Sequence, residues 1–161
     1  MDKPKADEPG KKKSALDLDE NNDFVFMAKM NKFLRVLLIL PMGVFGLLAV
    51  WLTFGFVVRM ADEHLPELLS FAAHAFVGGA AWAMFVVATT GAAPVRNKIV
   101  FASIMALPSL VLLASLDIGY VMGAEMIVRN FPPASIVMGN VMTLIMLFIA
   151  VRSFRNKTEA A

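Results

Sequence analysis

Four long stretches of this sequence carry almost no charge, and they decide what the chain can fold into. They cover residues 36–58, 68–90, 99–122 and 135–151, and Asp117 is the one Asp, Glu, Lys or Arg within them. A helix of about 20 apolar residues is long enough to cross the hydrocarbon core of a bilayer. The pattern therefore predicts an all-α polytopic membrane protein with four transmembrane helices packed as an antiparallel bundle.

The composition agrees with a membrane protein and excludes some chemistry. The chain is 58% hydrophobic and its mean hydropathy is +0.69, whereas soluble domains are about 45–50% apolar. It contains no Cys, which rules out disulfide bonds, thiolate metal sites and haem attached through Cys.

The basic residues are distributed unevenly among the segments that join these stretches. Of the 15 Lys and Arg residues, 13 lie before the first stretch, between the second and third, or after the fourth. The other two connections hold Arg59 and Arg129. Cytoplasmic loops carry such an excess of Lys and Arg. The sequence therefore predicts that both termini are cytoplasmic, in the inner or plasma membrane if the protein is bacterial.

The two ends of the chain are predicted to be polar tails. Residues 1–23 mix Lys, Asp and Glu without aromatic residues or apolar periodicity, which is typical of disordered segments. Residues 152–161 form a second charged cytoplasmic tail. The first tail would be either a solvated extension or a docking segment for a partner or for anionic lipid.

Residues 24–35 have a different pattern, with apolar side chains at the spacing of one helix face. They predict a short amphipathic helix on the cytoplasmic surface of the membrane. The alternative is a simple extension of the first span. The basic residues of this segment form a stripe that would lie among anionic lipid head groups: Lys29, Lys32 and Arg35.

Small side chains recur at four-residue spacing along three of the predicted spans. In a bilayer such ridges let neighbouring helix backbones approach closely. One interpretation is packing within a single bundle, and the other is that one ridge faces outward to make a homo-oligomer or to contact another membrane subunit. The ridges are Ala75, Gly79 and Ala83, then Ser115, Gly119 and Gly123, and finally Ser135, Gly139 and Thr143.

The main polar residues of the four spans fall at similar depths. His74, Asp117, Asn140 and Thr53 each lie five or six residues from the predicted outer end of their span, or roughly 8–9 Å at about 1.5 Å per residue. This layer would either fix the helix register through hydrogen bonds or form a proton or ion site open to the outer side. A metal or haem site is disfavoured. Haem held by two histidines would need His64, which lies in a predicted loop.

No motif of a known enzyme chemistry accompanies this layer. The sequence lacks an HExxH zinc signature, a phosphate-binding glycine loop and a nucleophile elbow, so we expect no catalytic residue, no bound metal and no cofactor. The basic run at 11–13 is too short to suggest nucleic acid binding. The expected partners are the lipid bilayer and either other membrane subunits or a second copy of the chain.

The sequence favours a non-enzymatic function. The leading interpretation is a small accessory, assembly or scaffold subunit of a larger membrane complex, because the connections are short and chemically reactive groups are scarce. The alternative is a small proton, ion or metal transporter that uses His74 and Asp117. A third is a haem- or quinone-associated redox subunit.

Overall fold

The computed structural model describes residues 23–27 and 30–154. Within these residues the regular structure is entirely helical, and all the helices but the short α4 are long and apolar enough to cross a membrane. The prediction of an all-α fold with four helices of membrane-spanning length is therefore confirmed. The helices are α1 (Lys32–His64), α2 (Glu67–Ala92), α3 (Lys98–Val121), α4 (Glu125–Asn130) and α5 (Pro133–Ser153).

The first helix extends beyond the predicted span at both ends. Its N-terminus is capped by Asn31, whose side-chain oxygen accepts a hydrogen bond from the Phe33 N–H at 3.1 Å. It ends at His64, and the next residue, Leu65, is extended because the following Pro66 disfavours a helical conformation in the residue before it. As a result Asp62, which the sequence pattern assigned to a connection, lies within the last turns of α1.

Residues 24–35 differ from the predicted amphipathic helix. Phe24 and its neighbours up to Met27 form a turn, in which the Met27 N–H donates to the Phe24 carbonyl at 2.8 Å, and regular helix begins only at Lys32. The reason is packing: Phe24 and Met27 are buried in a cluster with Ala92 at the end of α2. Their apolar side chains therefore contact another helix end instead of lining one face of their own helix.

Some of the predictions concern parts of the chain that the structure does not describe. Lys29 and the two predicted polar tails, apart from Asp23 and residues 152–154, lie outside the described residues.

The central element is α2. It packs most extensively against α1 and α5 and less against α3, while α3 also contacts α5 and α4. Among the described helices, α1 contacts α2 alone. The main apolar core lies where α2, α3 and α5 meet, and its buried members are Phe85, Val86, Ala102, Ala106, Leu147, Ala150 and Phe154.

The small-residue ridge of α2 lies at the contact with α5. A Cβ atom added to Gly79 would lie 3.1 Å from the carbonyl carbon and oxygen of Met142 and 3.2 Å from the backbone nitrogen of Thr143. Ala75 and Thr143 are buried beside this contact, and Ala83 is half-buried. The two backbones approach closely here because Gly79 has no side chain.

Of the other two ridges, only Thr143 lies at a close backbone contact, the one with Gly79. A Cβ on Gly139 would meet no atom within 4 Å, so the expected close contact is absent at this position. Ser115 is exposed and its hydroxyl donates to the Val111 carbonyl of its own helix at 2.7 Å. Gly119 faces the flexible tip of Ile127 in α4. Ser135 donates to the Pro132 carbonyl at 2.8 Å, at the first turn of α5.

Candidate functional site

Among the described residues, the polar side chains that link one helix to another gather in three places. A buried charged cluster lies where α1 and α3 begin and α2 ends, which we call the Asp23 end of the helices. A second group lies where α1 ends and α2 begins, at the Asp62 end. A third, smaller group joins α3 to α5. Each group connects two or more helices, so each can fix how those helices are placed.

The charged cluster consists of one carboxylate and two cations. The Asp23 Oδ1 atom lies 2.5 Å from Arg35 Nη2 and 2.5 Å from Lys98 Nζ. The three side chains are only 14%, 8% and 6% exposed, respectively. Buried charges are costly unless they are paired and hydrogen-bonded. The shared carboxylate provides the ion pairs for both cations, and the carbonyl groups at the end of α2 provide further hydrogen bonds.

The same two cations cap the C-terminus of α2. Lys98 Nζ donates to the carbonyls of Thr90 at 2.9 Å and Ala93 at 2.5 Å. Arg35 donates from Nε to the Ala92 carbonyl at 3.2 Å and from Nη2 to the Ala93 carbonyl at 3.3 Å. The last carbonyls of a helix lack partners within it and carry partial negative charge. They therefore act as further acceptors for both cations.

The segment before α1 is attached to this helix end by its backbone and by apolar contacts. We call residues 23–27 the strap. The Phe24 N–H donates to the Gly91 carbonyl at 3.3 Å, and its ring lies so close to Gly91 that an added Cβ would be 2.7 Å from ring carbon Cε2. Met27 is completely buried. The strap therefore ties the segment before α1 to the connection between α2 and α3.

This cluster corrects one sequence interpretation. Arg35 is buried against α2 and Asp23 rather than exposed to lipid head groups, whereas Lys32 is exposed. Asp23 and Lys98 were not recognised as partners from the sequence. A signal was present, because Arg35 and Lys98 each stand directly before an apolar stretch, where a basic side chain can reach neighbouring helix ends.

The structure brings two members of the predicted polar layer together. Asn140 Nδ2 of α5 donates to both carboxylate oxygens of Asp117 in α3, at 2.8 and 3.0 Å. Both residues are half-buried. An amide that donates to a carboxylate makes a charge-assisted bond, so this pair links α3 to α5.

His74 is paired elsewhere, at the Asp62 end. Its Nε2 atom lies 3.6 Å from Asp62 Oδ2, and its Nδ1 atom lies 3.0 Å from the Ser70 carbonyl oxygen. The Ser70 hydroxyl donates to the other carboxylate oxygen of Asp62. The His74 and Asp62 side chains are 44% and 50% exposed, and contacts between polar side chains this exposed stabilise by at most about 1 kcal/mol. This group connects α1 to α2 weakly.

Thr53 does not join either pair. Its hydroxyl donates to the Ala49 carbonyl in the preceding turn of α1 at 2.7 Å, and the residue is exposed. Because α1 contacts only α2 among the described helices, Thr53 lies away from α3 and α5. The single polar layer is therefore divided: Asp117 and Asn140 form one contact, and His74 forms another with Asp62.

The described residues contain no group of three or more His, Asp or Glu side chains placed to hold a metal ion. Comparison with protein-family models, with curated protein sequences and with solved structures found no match. The chemistry that the described sites offer is hydrogen bonding and ion pairing between helices, together with one carboxylate, Asp117, inside an apolar stretch.

The contact between Asp117 and Asn140 can be measured with a double-mutant cycle. We expect Asp117→Leu and Asn140→Leu each to lower stability in detergent, with a coupling energy of about 0.6 to 1 kcal/mol, the usual size for polar contacts between membrane helices. Asp117→Asn should cost less, because an amide still accepts a hydrogen bond. Thr53→Val is the control and should show no coupling to Asn140→Leu. A coupling energy of zero between positions 117 and 140 would contradict the contact.

Proposed function

We propose that this chain is a multi-pass membrane protein whose four long helices cross the bilayer as an antiparallel bundle. The observation that carries this proposal is the apolar surface of the helices. Only 11% of the most apolar window of α1 is buried within the protein. The protein has many exposed apolar side chains, among them Leu52 and Phe56 in α1 and Phe148 in α5. Soluble monomers rarely expose contiguous apolar surface of this extent, whereas lipid would cover it.

We further propose that both termini are cytoplasmic. The basic residues support this orientation. The start of α1 lies at the Asp23 end together with the α2–α3 connection, which holds Arg96 and Lys98. Cytoplasmic segments carry such an excess of Lys and Arg. Reporter fusions after Asn156 should therefore give cytoplasmic signals, and fusions at Glu63 should give signals from the opposite side. A reversed result at either position would exclude the proposed orientation.

Within the membrane, we propose a non-enzymatic function as a small accessory, assembly or scaffold subunit of a larger complex. Most of the described charged side chains lie at the helix ends, and Asp23, Arg35 and Lys98 are paired there. The buried side chains along the middle of α2 are small or apolar, such as Val77, Ala81 and Val86. This arrangement suits a rigid packing element better than a route for polar substrates.

The subunit proposal predicts different effects for two glycines. Gly139 has open space around its Cβ position, and small residues on membrane helices are favoured contact points for other helices. Purified in mild detergent, the wild-type protein should elute with another membrane polypeptide at a fixed ratio. Gly139→Leu should lose that polypeptide while keeping its own thermal stability. Gly55→Leu, at an equally open site on α1, is the matched control. A wild-type protein that elutes as a lone monomer would contradict the proposal.

A second candidate is a small proton or cation transporter, and the Asp117–Asn140 pair favours it. Ionisable groups within membrane spans are costly and commonly mark ion pathways, and Asp117 lies in such a span with an amide as its partner. In reconstituted liposomes, Asp117→Asn would then abolish cation or proton flux while leaving folding intact. Unchanged flux, or none in the wild-type protein, would exclude this candidate.

A further inference from the structure

An open groove of about 400 Å³ lies between the start of α3 and the end of α5. Its described lining combines three apolar side chains, Ile99, Phe148 and Val151, with one charged side chain, Arg152. The Arg152 guanidinium lies over the Phe148 ring, 5.9 Å from its centroid. The groove thus has apolar walls and a single cation next to them.

We propose that this groove binds a phospholipid with a negatively charged head group. One acyl chain would lie against Ile99, Phe148 and Val151, and the phosphate would accept hydrogen bonds from the Arg152 guanidinium. This inference rests on the proposed function, because a chain inserted in a bilayer presents the groove to lipid. Arg152 lies in the last turn of α5, which under the proposed topology is the level of the cytoplasmic head groups.

The charges around the groove favour an anion. Lys98, at the start of α3, already binds Asp23 and the carbonyls of α2. Within residues 23–27 and 30–154, Arg152 makes no ion pair with a carboxylate, and its guanidinium contacts the Phe148 ring. Guanidinium groups bind phosphate oxygens in a bidentate geometry. A free phosphate ion would use this cation but not the apolar walls, so the complete lining fits a lipid better.

The ring of Phe148 has two functions in this arrangement. It is 63% exposed, so it contributes little to the protein core and is available to an acyl chain. It also holds the guanidinium through a cation–π contact. The wall that contacts the chain therefore also positions the group that binds the phosphate.

The test uses the full chain reconstituted with equal amounts of phosphatidylglycerol and phosphatidylcholine that carry the same acyl chains. Flotation of the vesicles after alkaline extraction first establishes insertion. Native mass spectrometry in mild detergent then counts the retained lipids. We expect the wild-type protein to retain phosphatidylglycerol preferentially, and Arg152→Gln to reduce that preference about fivefold, the factor for one basic group near a membrane surface.

Two variants separate this site from general attraction to a basic surface. Arg96→Gln removes an exposed arginine at the same end of the protein that does not line the groove, and it should leave the preference unchanged. Phe148→Ala should lower the retention of both lipids, because it removes an apolar wall. Arg152→Lys keeps the charge without the bidentate geometry and should retain part of the preference.

Four results would overturn the inference. The first is a wild-type protein that inserts but shows no lipid preference, which leaves the proposed function standing. The second is an equal loss of preference in Arg96→Gln and Arg152→Gln. The third is full displacement of the lipid by glycerol phosphate, which would assign the site to a phosphate alone. The fourth is a wild-type chain that fails to float with vesicles, which would overturn the proposed function as well.

Discussion

Replacing Gly79 by Leu should prevent α2 and α5 from packing and should strongly lower the stability of the protein. A Cβ atom at this position would already lie 3.1 Å from the Met142 carbonyl group, and a leucine adds three more carbon atoms. The neighbouring atoms belong to backbone and cannot rotate away. Overpacked sites commonly lose about 1–3 kcal/mol, and we expect the upper part of that range or complete loss of the folded form.

The neighbouring glycine provides a matched control. Gly78 has no atom within 4 Å of its Cβ position, so Gly78→Leu adds the same side chain to the same turn without a collision. It should keep or slightly raise stability, because Leu favours helix over Gly by up to about 1 kcal/mol. Thermal unfolding in detergent, followed by circular dichroism, compares the two variants. Equal melting temperatures for Gly78→Leu and Gly79→Leu would show that α2 and α5 do not meet at Gly79.

Replacing Asp23 by Asn should release the strap and destabilise the Asp23 end. The change leaves Arg35 and Lys98 close together and buried without the anion that they share. Breaking a buried ion pair by removing one partner commonly costs about 3–5 kcal/mol. The carbonyls at the end of α2 still accept from both cations, so we expect the lower part of that range. Limited proteolysis near residue 27 should become faster, and the melting temperature should fall.

The exposed ion pair of Arg59 and Glu63 is the matched control for this change. Its side chains are 81% and 52% exposed, so Glu63→Gln should alter stability by about 0.5 kcal/mol or less. The double variant with Asp23→Asn and Lys98→Met should lose less than the sum of the two single changes, because it removes one of the uncompensated cations. Additive losses, or equal effects of Asp23→Asn and Glu63→Gln, would contradict a shared buried cluster.

The helices were predictable because their signal is local. An uninterrupted apolar run of about 20 residues predicts a spanning helix from itself alone, and all four runs coincide with helices in the structure. The N-terminal segment was harder to predict, because the apolar spacing of residues 24–35 also fits a segment that packs on another element. Phe24 and Met27 are buried against Ala92. The sequence of residues 24–35 alone cannot indicate a contact with a residue so far along the chain.

Contacts between helices were predictable only at positions where the residue type permits one way of packing, such as a glycine between two close helix backbones. Gly79 lies at a close contact as its ridge suggested, but Gly139, in a ridge of the same spacing, does not. The prediction that His74 lies beside Asp117 rested only on their similar depth in the spans. A helix has several faces at each depth, so equal depth does not establish contact. Asp117 meets Asn140 because α3 contacts α5, and His74 meets Asp62 because α1 packs on α2.

The strap also determines the order in which the protein can be completed. Asp23 and Lys98 are separated by 75 positions in the chain, and the carbonyls that Arg35 binds belong to residues 92 and 93. A ribosome synthesises the strap and α1 well before any of these partners exists. The ion cluster therefore closes only after α2 has been made and α3 has begun. Until then Phe24 and Met27, the apolar residues of the strap, lack the contact with Ala92 that buries them.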